Sequence, residues 1–158
     1  MVCLTTILYT FCNAIFQYAK NNREYINILK EVELVFLPVV NIDGYLYIEK
    51  LYDLNPTYDL ALVRKNRNFT IPCKEYITSS FTHYFRDDPW KIQSGVDLNR
   101  NYGLGFAYDD NGSSDDPCNM SYRGSAPFSE PETQALRDFA INNPSIKIAL
   151  NFHSHAGM

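Results

Sequence analysis

The sequence lacks an excess of basic charge, because 14 lysine and arginine residues stand against 18 aspartate and glutamate residues. Proteins that hold nucleic acid or an anionic membrane by electrostatics carry a basic patch, so we expect neither kind of partner. No apolar run is long enough to cross a bilayer, and no internal repeat is present. The hydrophobic share of 46% is sufficient for a core, which excludes a disordered chain and fits one domain of ordinary size.

Cysteine is also scarce. The 4 cysteines contain no Cys-x-x-Cys pair, which excludes a four-thiolate zinc knuckle. Cys3 and Cys12 lie in an apolar stretch and are expected to be buried thiols, whereas Cys73 and Cys118 lie in polar, turn-rich sequence. A disulfide forms between such residues if the compartment is oxidising. Three Asn-x-Ser/Thr triplets favour a secreted protein, although such triplets also arise by chance: Asn68, Asn111 and Asn119.

The N-terminal stretch has the period of an amphipathic helix. Apolar residues recur at the i, i+3, i+4, i+7 spacing from Leu4 to Ala19. A signal peptide is the alternative for residues 1–16, but the stretch has no basic segment before it, and a signal core need not keep this period. We therefore expect a core-facing helix, then a break at Asn21-Asn22 and a short second helical turn over residues 23–31.

Two apolar runs, residues 32–40 (VELVFLPVV) and 146–152 (IKIALNF), predict strands buried on both faces of a parallel sheet. Residues 41–44 form a turn signal, 66–94 a long polar excursion and 95–98 a short strand candidate. Ser129 to Glu132 predicts a capping box for a helix that ends near 142–144 and buries one face: Ala135, Leu136, Phe139 and Ala140. This order of elements predicts an α/β fold with a mixed, largely parallel sheet flanked by helices.

Polar residues that follow strand ends are functional candidates, because ligands of open α/β sheets bind outside the carboxyl ends of the strands. His153 directly follows the second predicted strand. A neutral imidazole on a rigid strand end is a typical metal ligand, although a lone histidine is more often a satisfied core residue. His83, in the polar excursion, is expected at the surface.

Two charged clusters lie outside those strand ends. Residues 64–67 (RKNR) are basic in an acidic chain and form either a solvated turn or a functional site. In an extended segment, Asp97, Asn99 and Asn101 would share one side. The planar guanidinium of Arg100 suits the bidentate capture of a carboxylate, and Asn99 adds neutral donors. Each cluster by itself is somewhat more often structural than functional.

Together the clusters resemble one family, the zinc carboxypeptidases, which include the pancreatic carboxypeptidases A and B. Seven strings in chain order carry the resemblance: PVVNIDGY (38–45), RKNR (64–67), GVDLNRNYG (95–103), DPC (116–118), YRG (122–124), FSEPET (128–133) and NFHS (151–154). The resemblance implies part of the zinc-carboxypeptidase fold, zinc as cofactor, and the release of C-terminal amino acids from peptide or protein substrates. Together with the Asn-x-Ser/Thr triplets, it leads us to expect a secreted protein, and we expect it to be a monomer.

The resemblance assigns roles to individual residues. His153 matches the third zinc ligand, and Asp97 matches the carboxylate that orients a zinc-bound histidine. Asn99 and Arg100 match the pair that grips the free carboxylate of the substrate. Arg67 matches the catalytic arginine that polarises the scissile carbonyl and stabilises the oxyanion.

Further substrate contacts and a cross-link follow from the same resemblance. Arg64 matches an accessory subsite arginine, and Ser154 and His155 line the adjoining subsite, although the family commonly has tyrosine in place of His155. Cys118 matches a family disulfide cysteine. Its usual partner just ahead of Gly95 is absent, and Cys73 is the implied substitute.

The departures from the family concern the metal. The family's His-x-x-Glu motif, which supplies two of three zinc ligands, would precede Met1, and no histidine precedes His83. The general-base glutamate and the substrate-capping tyrosine belong to a C-terminal portion that is also absent. Residues 1–158 are therefore expected to be a single, incomplete catalytic domain that is inactive alone. The alternative is a non-catalytic pseudo-enzyme that binds peptide C-termini.

Overall fold

The computed structural model describes residues 4–54, 63–71, 73 and 94–153. These residues divide into two compact units. Of the described residues, 4–40 and 148–153 belong to the first unit, and 41–147, with its gaps, belongs to the second.

The first unit contains the two helices that the sequence predicts, α1 (Leu4–Asn21) and α2 (Arg23–Glu31). Asn22 separates them, because its extended backbone ends α1 and its Oδ1 accepts the N–H of Glu24 at 2.9 Å to cap α2. Tyr18 of α1 stacks on Tyr25 of α2 with ring centroids 5.7 Å apart. Among the described residues, no helix combines the length and the apolar character needed to cross a bilayer.

Burial in the first unit differs from the prediction. On α1, the free thiol of Cys12 is half-buried, whereas Phe11 and Phe16 of the predicted core-facing stripe are exposed. The ring centroids of Phe11 and Phe36 lie 6.3 Å apart in an edge-to-face contact. Because Phe11 is exposed, this is an aromatic contact at the surface and not part of a buried core. Cys3 lies outside the described residues.

Neither apolar run forms a strand. Across the described ranges the sole β-pairing is an isolated bridge between Ser114 and Tyr122. Side chains of the runs are exposed, including Ile148 at 79% and Leu150 at 72%. A strand of a parallel sheet is buried only when neighbouring strands and covering helices are present. The predicted burial of both runs is therefore wrong for this chain, and the predicted sheet stays a prediction.

Helix α3 (Ile42–Leu54) of the second unit begins inside the segment that the sequence indicates as a turn. The Oδ1 atom of Asn41 accepts the N–H of Gly44 at 3.0 Å, and the carbonyl of Asn41 accepts the N–H of Tyr45 at 3.0 Å. A Cβ on Gly44 would collide with the Asn41 amide, so glycine permits the close approach. The turn signal is therefore a helix N-cap.

Helix α4 (Pro131–Asn142) ends where the sequence predicts, and Pro131 occupies its first turn. The predicted capping box is wrong. The N-cap is Glu130, and the Ser129 hydroxyl donates to Glu130 Oε1 at 2.8 Å instead of closing the box. The Thr133 hydroxyl lies 2.6 Å from Asn101 Oδ1 and 3.0 Å from the Glu130 carbonyl oxygen, so it does not replace the expected glutamate as an acceptor.

The predicted buried face of α4 is also wrong. Of that helix, Thr133 is buried, while Ala135, Phe139 and Ala140 are exposed and Leu136 is half-buried. The core of the second unit lies instead around the loops. It combines a few apolar side chains (Leu51, Val63, Val96, Leu98 and Tyr122) with buried polar ones (Lys65, Asn66, Asp97, Asn101, Glu130 and Thr133). A disulfide joins Cys73 to Cys118 within this unit, the pairing that the resemblance implies.

Candidate active site

The basic segment 64–67 is fixed by side chains from elsewhere in the second unit. Asn41, the N-cap of α3, donates from Nδ2 to the carbonyls of Arg64 at 3.4 Å and Lys65 at 3.1 Å. Lys65 is buried and donates from Nζ to the Pro117 carbonyl at 2.7 Å. The solvated-turn interpretation of this segment is therefore wrong.

Burial lowers the pKa of Lys65 to about 8, because desolvation disfavours the ammonium ion. The negative charges of Asp116 and Asp97 act in the opposite direction. The ammonium group also lies 5.6 Å from the centre of the Tyr122 ring. Lys65 is thus an internal anchor of the segment, whereas its neighbour Arg64 is partly exposed.

A second connection places segment 64–67 beside segment 94–100. The backbone N–H of Asn66 donates to the Val96 carbonyl at 2.9 Å, and the Val96 N–H donates to Asn66 Oδ1 at 2.8 Å. Gly95 allows this approach, because its φ is +100° and a Cβ there would collide with the Asn66 carbonyl. The two segments that carry the predicted substrate arginines are therefore hydrogen-bonded to each other.

Arg67 lies on an aromatic surface. Its guanidinium carbon is 3.9 Å from the centre of the Tyr47 ring on α3 and 4.9 Å from that of Phe69. Desolvation lowers the pKa of Arg67, and the charge of Tyr47 acts in the opposite direction. Such a half-buried guanidinium stays cationic and is poorly hydrated, which strengthens its interaction with an anion.

Asp97 is a buried carboxylate with two cationic neighbours. Its Oδ2 atom lies 2.9 Å from Arg64 Nη2 and 4.0 Å from Arg100 Nε. Its Oδ1 atom accepts the N–H of Asn99 at 3.2 Å. Desolvation raises the pKa of Asp97, while the charge of Arg64, the Asn99 N–H and the charge of Arg100 act in the opposite direction. Arg64 is thus engaged with Asp97 in this structure.

Asn99 and Arg100 are accessible because the chain turns at this point. The short strand expected at 95–98 does not form: residues 95–97 lead into a 3-10 turn, Leu98–Arg100, which Asp97 caps. The turn exposes Asn99 and buries Asp97 and Asn101, so the prediction that these three share one side is wrong. Asn99 and Arg100 line an open groove of about 460 Å³, together with Tyr102, Leu104, Phe106 and Tyr108.

His153 lies at the end of the described part of the first unit and is exposed. Over the described ranges, no three His, Cys, Asp or Glu side chains come together to hold a metal ion. A catalytic zinc site requires three protein ligands, so these residues by themselves do not make one. Ser154, His155 and His83 lie outside the described residues.

Two functional candidates were not predicted from the sequence. Asn101 is fully buried and its Nδ2 donates to the carbonyls of Arg123 at 2.8 Å and Ala126 at 3.1 Å. Glu130 is 1% exposed and faces segment 64–68 rather than solvent. Both residues are polar and lie in or next to motifs that the sequence analysis singled out. The sequence does not show, however, which polar side chains of such motifs are buried.

The sequence profile of one protein family, described as "Zinc carboxypeptidase", matches residues 2–158. The chain belongs to the zinc carboxypeptidase family. A carboxypeptidase B of Rattus norvegicus is 37% identical over 132 residues, which cover 83% of this chain and 25% of that protein. An inactive metallocarboxypeptidase, ECM14 of Paracoccidioides brasiliensis, is 27% identical over 161 residues, 98% of this chain and 22% of that protein.

Solved structures place the chain in the carboxypeptidase fold. The crystal structure of thrombin activatable fibrinolysis inhibitor matches with a TM-score of 0.60 and 27% identity, over 89% of this chain and 28% of that one. This zinc carboxypeptidase chain therefore spans less than a third of the length of these relatives.

Proposed function

We propose that this chain is the central part of a metallocarboxypeptidase catalytic domain that releases C-terminal amino acids from peptides. The observation that carries the proposal is the Asn66–Val96 pairing, because it brings the segment of Arg67 beside the turn of Asn99 and Arg100. One segment would meet the carbonyl of the scissile bond, and the other would meet the terminal carboxylate.

Asn99 and Arg100 would bind the terminal carboxylate from the open groove. The guanidinium is planar and presents paired donors, which match the two oxygens of a carboxylate. A hydrogen bond to a charged group of this kind contributes ~1.5–3 kcal/mol. Asp97 lies next to this turn and caps it, so it holds Asn99 and Arg100 in the accessible conformation.

Arg67 would donate to the oxygen of the scissile carbonyl. Negative charge develops on that oxygen as the carbonyl is attacked, and a preorganised cation in a partly dry site stabilises it. The contacts with Tyr47 and Phe69 keep the guanidinium partly out of water. We assign Arg64 to an accessory subsite and Ser154 and His155 to the adjoining one.

Zinc would require residues beyond those of this chain. We propose that His153 supplies one ligand in the complete protein and that the other two ligands and the general base lie elsewhere in it. The disulfide between Cys73 and Cys118 supports an oxidising compartment, and we propose a secreted, monomeric protein.

A second candidate function is a pseudo-enzyme that binds peptide C-termini without cleaving them. One observation favours it: a relative described as inactive matches 98% of this chain. Asn99, Arg100 and Arg67 would still bind a terminal carboxylate in such a protein.

The test compares Arg100→Ala with the wild type in the complete protein that contains this chain. We expect kcat/KM for peptides with a free C-terminal carboxylate to fall at least ~10-fold, since 1.4 kcal/mol is one decade. Zinc content should not change, whereas His153→Ala should lose zinc. Peptides with a C-terminal amide serve as control substrates, because they lack the group that Arg100 recognises. Loss of zinc in Arg100→Ala, or undiminished cleavage, would contradict the assignment.

Residues 1–158 expressed alone provide the complementary test. We expect neither turnover of such peptides nor stoichiometric zinc by atomic absorption, because one histidine cannot replace three ligands. A complete protein that binds these peptides without turnover, and loses affinity in Arg100→Ala, would support the pseudo-enzyme. Turnover by the 158-residue chain that is abolished by chelation would contradict the proposed division of the site.

A further inference from the structure

Glu130 is a buried carboxylate to which the proposed reaction gives no role. We propose that Glu130 is a positioning residue for Arg67 and that it acts through Asn66 and Asn68. This inference rests on the proposed function, because it concerns the geometry of the arginine that would face the scissile carbonyl.

The geometry is a tether on both sides of Arg67. The Oε2 atom of Glu130 accepts hydrogen bonds from Asn66 Nδ2 at 2.7 Å and from Asn68 Nδ2 at 2.9 Å. Asn66 and Asn68 are the two chain neighbours of Arg67. A single oxygen atom, 64 residues away in the chain from Asn66, therefore binds the side chains before and after the arginine. The Glu132 carboxylate adds two longer contacts to Asn66 Nδ2, at 3.3 and 3.4 Å.

The carboxylate itself is held in place by Ser129 and, through it, by Asn101. Its Oε1 atom accepts from the Ser129 hydroxyl at 2.8 Å, and that hydroxyl accepts from Asn101 Nδ2 at 2.8 Å. The backbone N–H of Glu130 donates to Asn101 Oδ1 at 3.3 Å, and the Thr133 hydroxyl donates to the same atom at 2.6 Å. The position of Glu130 thus follows that of the helix start.

The orientation of the side chain distinguishes a tether from a helix cap. An acidic residue at an N-cap ordinarily accepts from the N–H groups of the first turn. Glu130 occupies the N-cap of α4 but makes no such bond. Its charge is directed at the two asparagine amides instead, although burying a carboxylate is costly unless donors surround it.

Displacement of Arg67 is the expected result when the tether is lost. Misplacement of a catalytic group by about 1 Å costs up to ~100-fold in rate. The turn of Asn99 and Arg100 makes no hydrogen bond to the Glu130 side chain among those that the structure shows for the described residues. Loss of the tether should therefore lower kcat more than it raises KM.

Side-chain variants separate position from charge. In Glu130→Gln, the amide oxygen can still accept from both asparagines, and the amide nitrogen can donate to the Ser129 hydroxyl, so activity should stay within ~3-fold of wild type. In Glu130→Ala, the bonds of both asparagines to the Glu130 carboxylate are lost. Asn66 Nδ2 keeps only its longer contacts with the Glu132 carboxylate, at 3.3 and 3.4 Å, so kcat should fall at least ~10-fold. Asn68→Ala removes one bond at a half-buried site and should have a smaller effect of the same kind. Asp138→Ala, an exposed carboxylate on the same helix, is the matched control and should change neither constant.

The experiment is a double-mutant cycle in the complete protein, with kcat, KM and melting temperature measured for each variant. If Glu130 acts through Arg67, Glu130→Ala should cost little further kcat in an Arg67→Met background. Full additivity with Arg67→Met, or equal loss of kcat and rise of KM, would overturn the positioning role while leaving the proposed function intact. Asn68→Ala, tested in the same cycle, keeps the inference falsifiable if Glu130→Ala does not fold.

Amide hydrogen exchange gives a readout that does not need turnover. The N–H groups of Asn66 and Val96 are hydrogen-bonded in the pairing that Glu130 supports, and Glu130→Ala should speed their exchange. The Arg123 N–H, bonded to the Ser114 carbonyl at 3.0 Å, should be unaffected. If the wild type has no turnover, the catalytic part of this inference fails together with the proposed function, and exchange at Asn66 and Val96 decides whether Glu130 fixes the arginine segment.

Discussion

The two compact units of this chain differ in burial, because the second buries polar side chains while the first exposes apolar ones. In the second unit, Asn101 and Glu130 are almost completely excluded from water, and other side chains or backbone groups satisfy their polar atoms. In the first unit, Ile148 and Leu150 are among the more exposed residues. An asparagine in the interior and a leucine at the surface reverse the usual distribution.

The difference shows which interactions are complete within the chain. A hydrogen bond joins two groups, so a few segments are enough to supply the partners of Asn66, Asn101 and Glu130. All of those segments lie within residues 41–147. Burial of an apolar strand needs a whole layer of neighbours on each face. The chain of the solved relative is more than three times as long as the part that this chain matches.

The largest expected effect comes from opening the disulfide of the second unit by Cys73→Ser with Cys118→Ser. The cross-linked residues are 45 positions apart, for which loop-closure entropy predicts a loss of about 4 kcal/mol in unfolding free energy. Hydrogen exchange should therefore accelerate at Asp97 and Arg123 in the second unit, while the amides of α1 stay unchanged. Equal acceleration in both units would show that the two are not independent.

The next effect compares one residue from each unit. Asn101→Ala leaves several buried groups without a partner and should lower the free energy of unfolding by about 3 kcal/mol, since each such group costs about 1–3 kcal/mol. Leu150→Ala removes an exposed side chain and should change it by less than ~0.5 kcal/mol. Urea unfolding followed by circular dichroism measures both. A larger loss from Leu150→Ala would mean that the first unit buries this residue in solution.

The smallest expected effect is a pH dependence that belongs to Lys65. The folded state releases the Lys65 proton near pH 8, while the unfolded state keeps it to about 10.5, so the unfolded state binds more protons between these values. The free energy of unfolding should therefore rise from pH 8 to 10, by on the order of 1–2 kcal/mol. Burial raises the pKa of Tyr102 and Tyr122 above their ordinary value of 10, which destabilises the fold only above that pH.

Lys65→Met is the variant that isolates this dependence. It keeps an apolar stem of similar length and removes the titrating group, so the rise between pH 8 and 10 should vanish. An unchanged rise would assign the dependence to another residue.

Local sequence signals predicted much of the fold. The period of α1, the break between α1 and α2 at Asn22 and the end of α4 near Asn142 are fixed by neighbouring residues, and all three were predicted. The signal at Asn41 was ambiguous, because an asparagine with a glycine three residues later suits both a turn and a helix cap. Burial of the apolar runs depends on a sheet, which local pattern cannot supply.

The candidate site was predicted from motifs rather than from physical pattern. Arg67 and Arg100 came from the resemblance, and the structure shows that their segments are hydrogen-bonded together. Glu130 could not be predicted as a tether, because a glutamate at the start of a helix is ordinarily an exposed cap. Its role depends on a partner 64 residues away, and no spacing rule connects the two positions.

That separation also sets an order in time. Segment 64–68 leaves the ribosome before Glu130 is synthesised, so Arg67 cannot be positioned until Glu130 has been added to the chain. Contacts between residues so distant in the chain form slowly, because closing a long loop costs conformational entropy before the hydrogen bonds form. The helices of the first unit depend on contacts between residues close in the chain and can form as soon as they are synthesised. The geometry of the candidate active site is therefore among the last features of this chain to form during its synthesis.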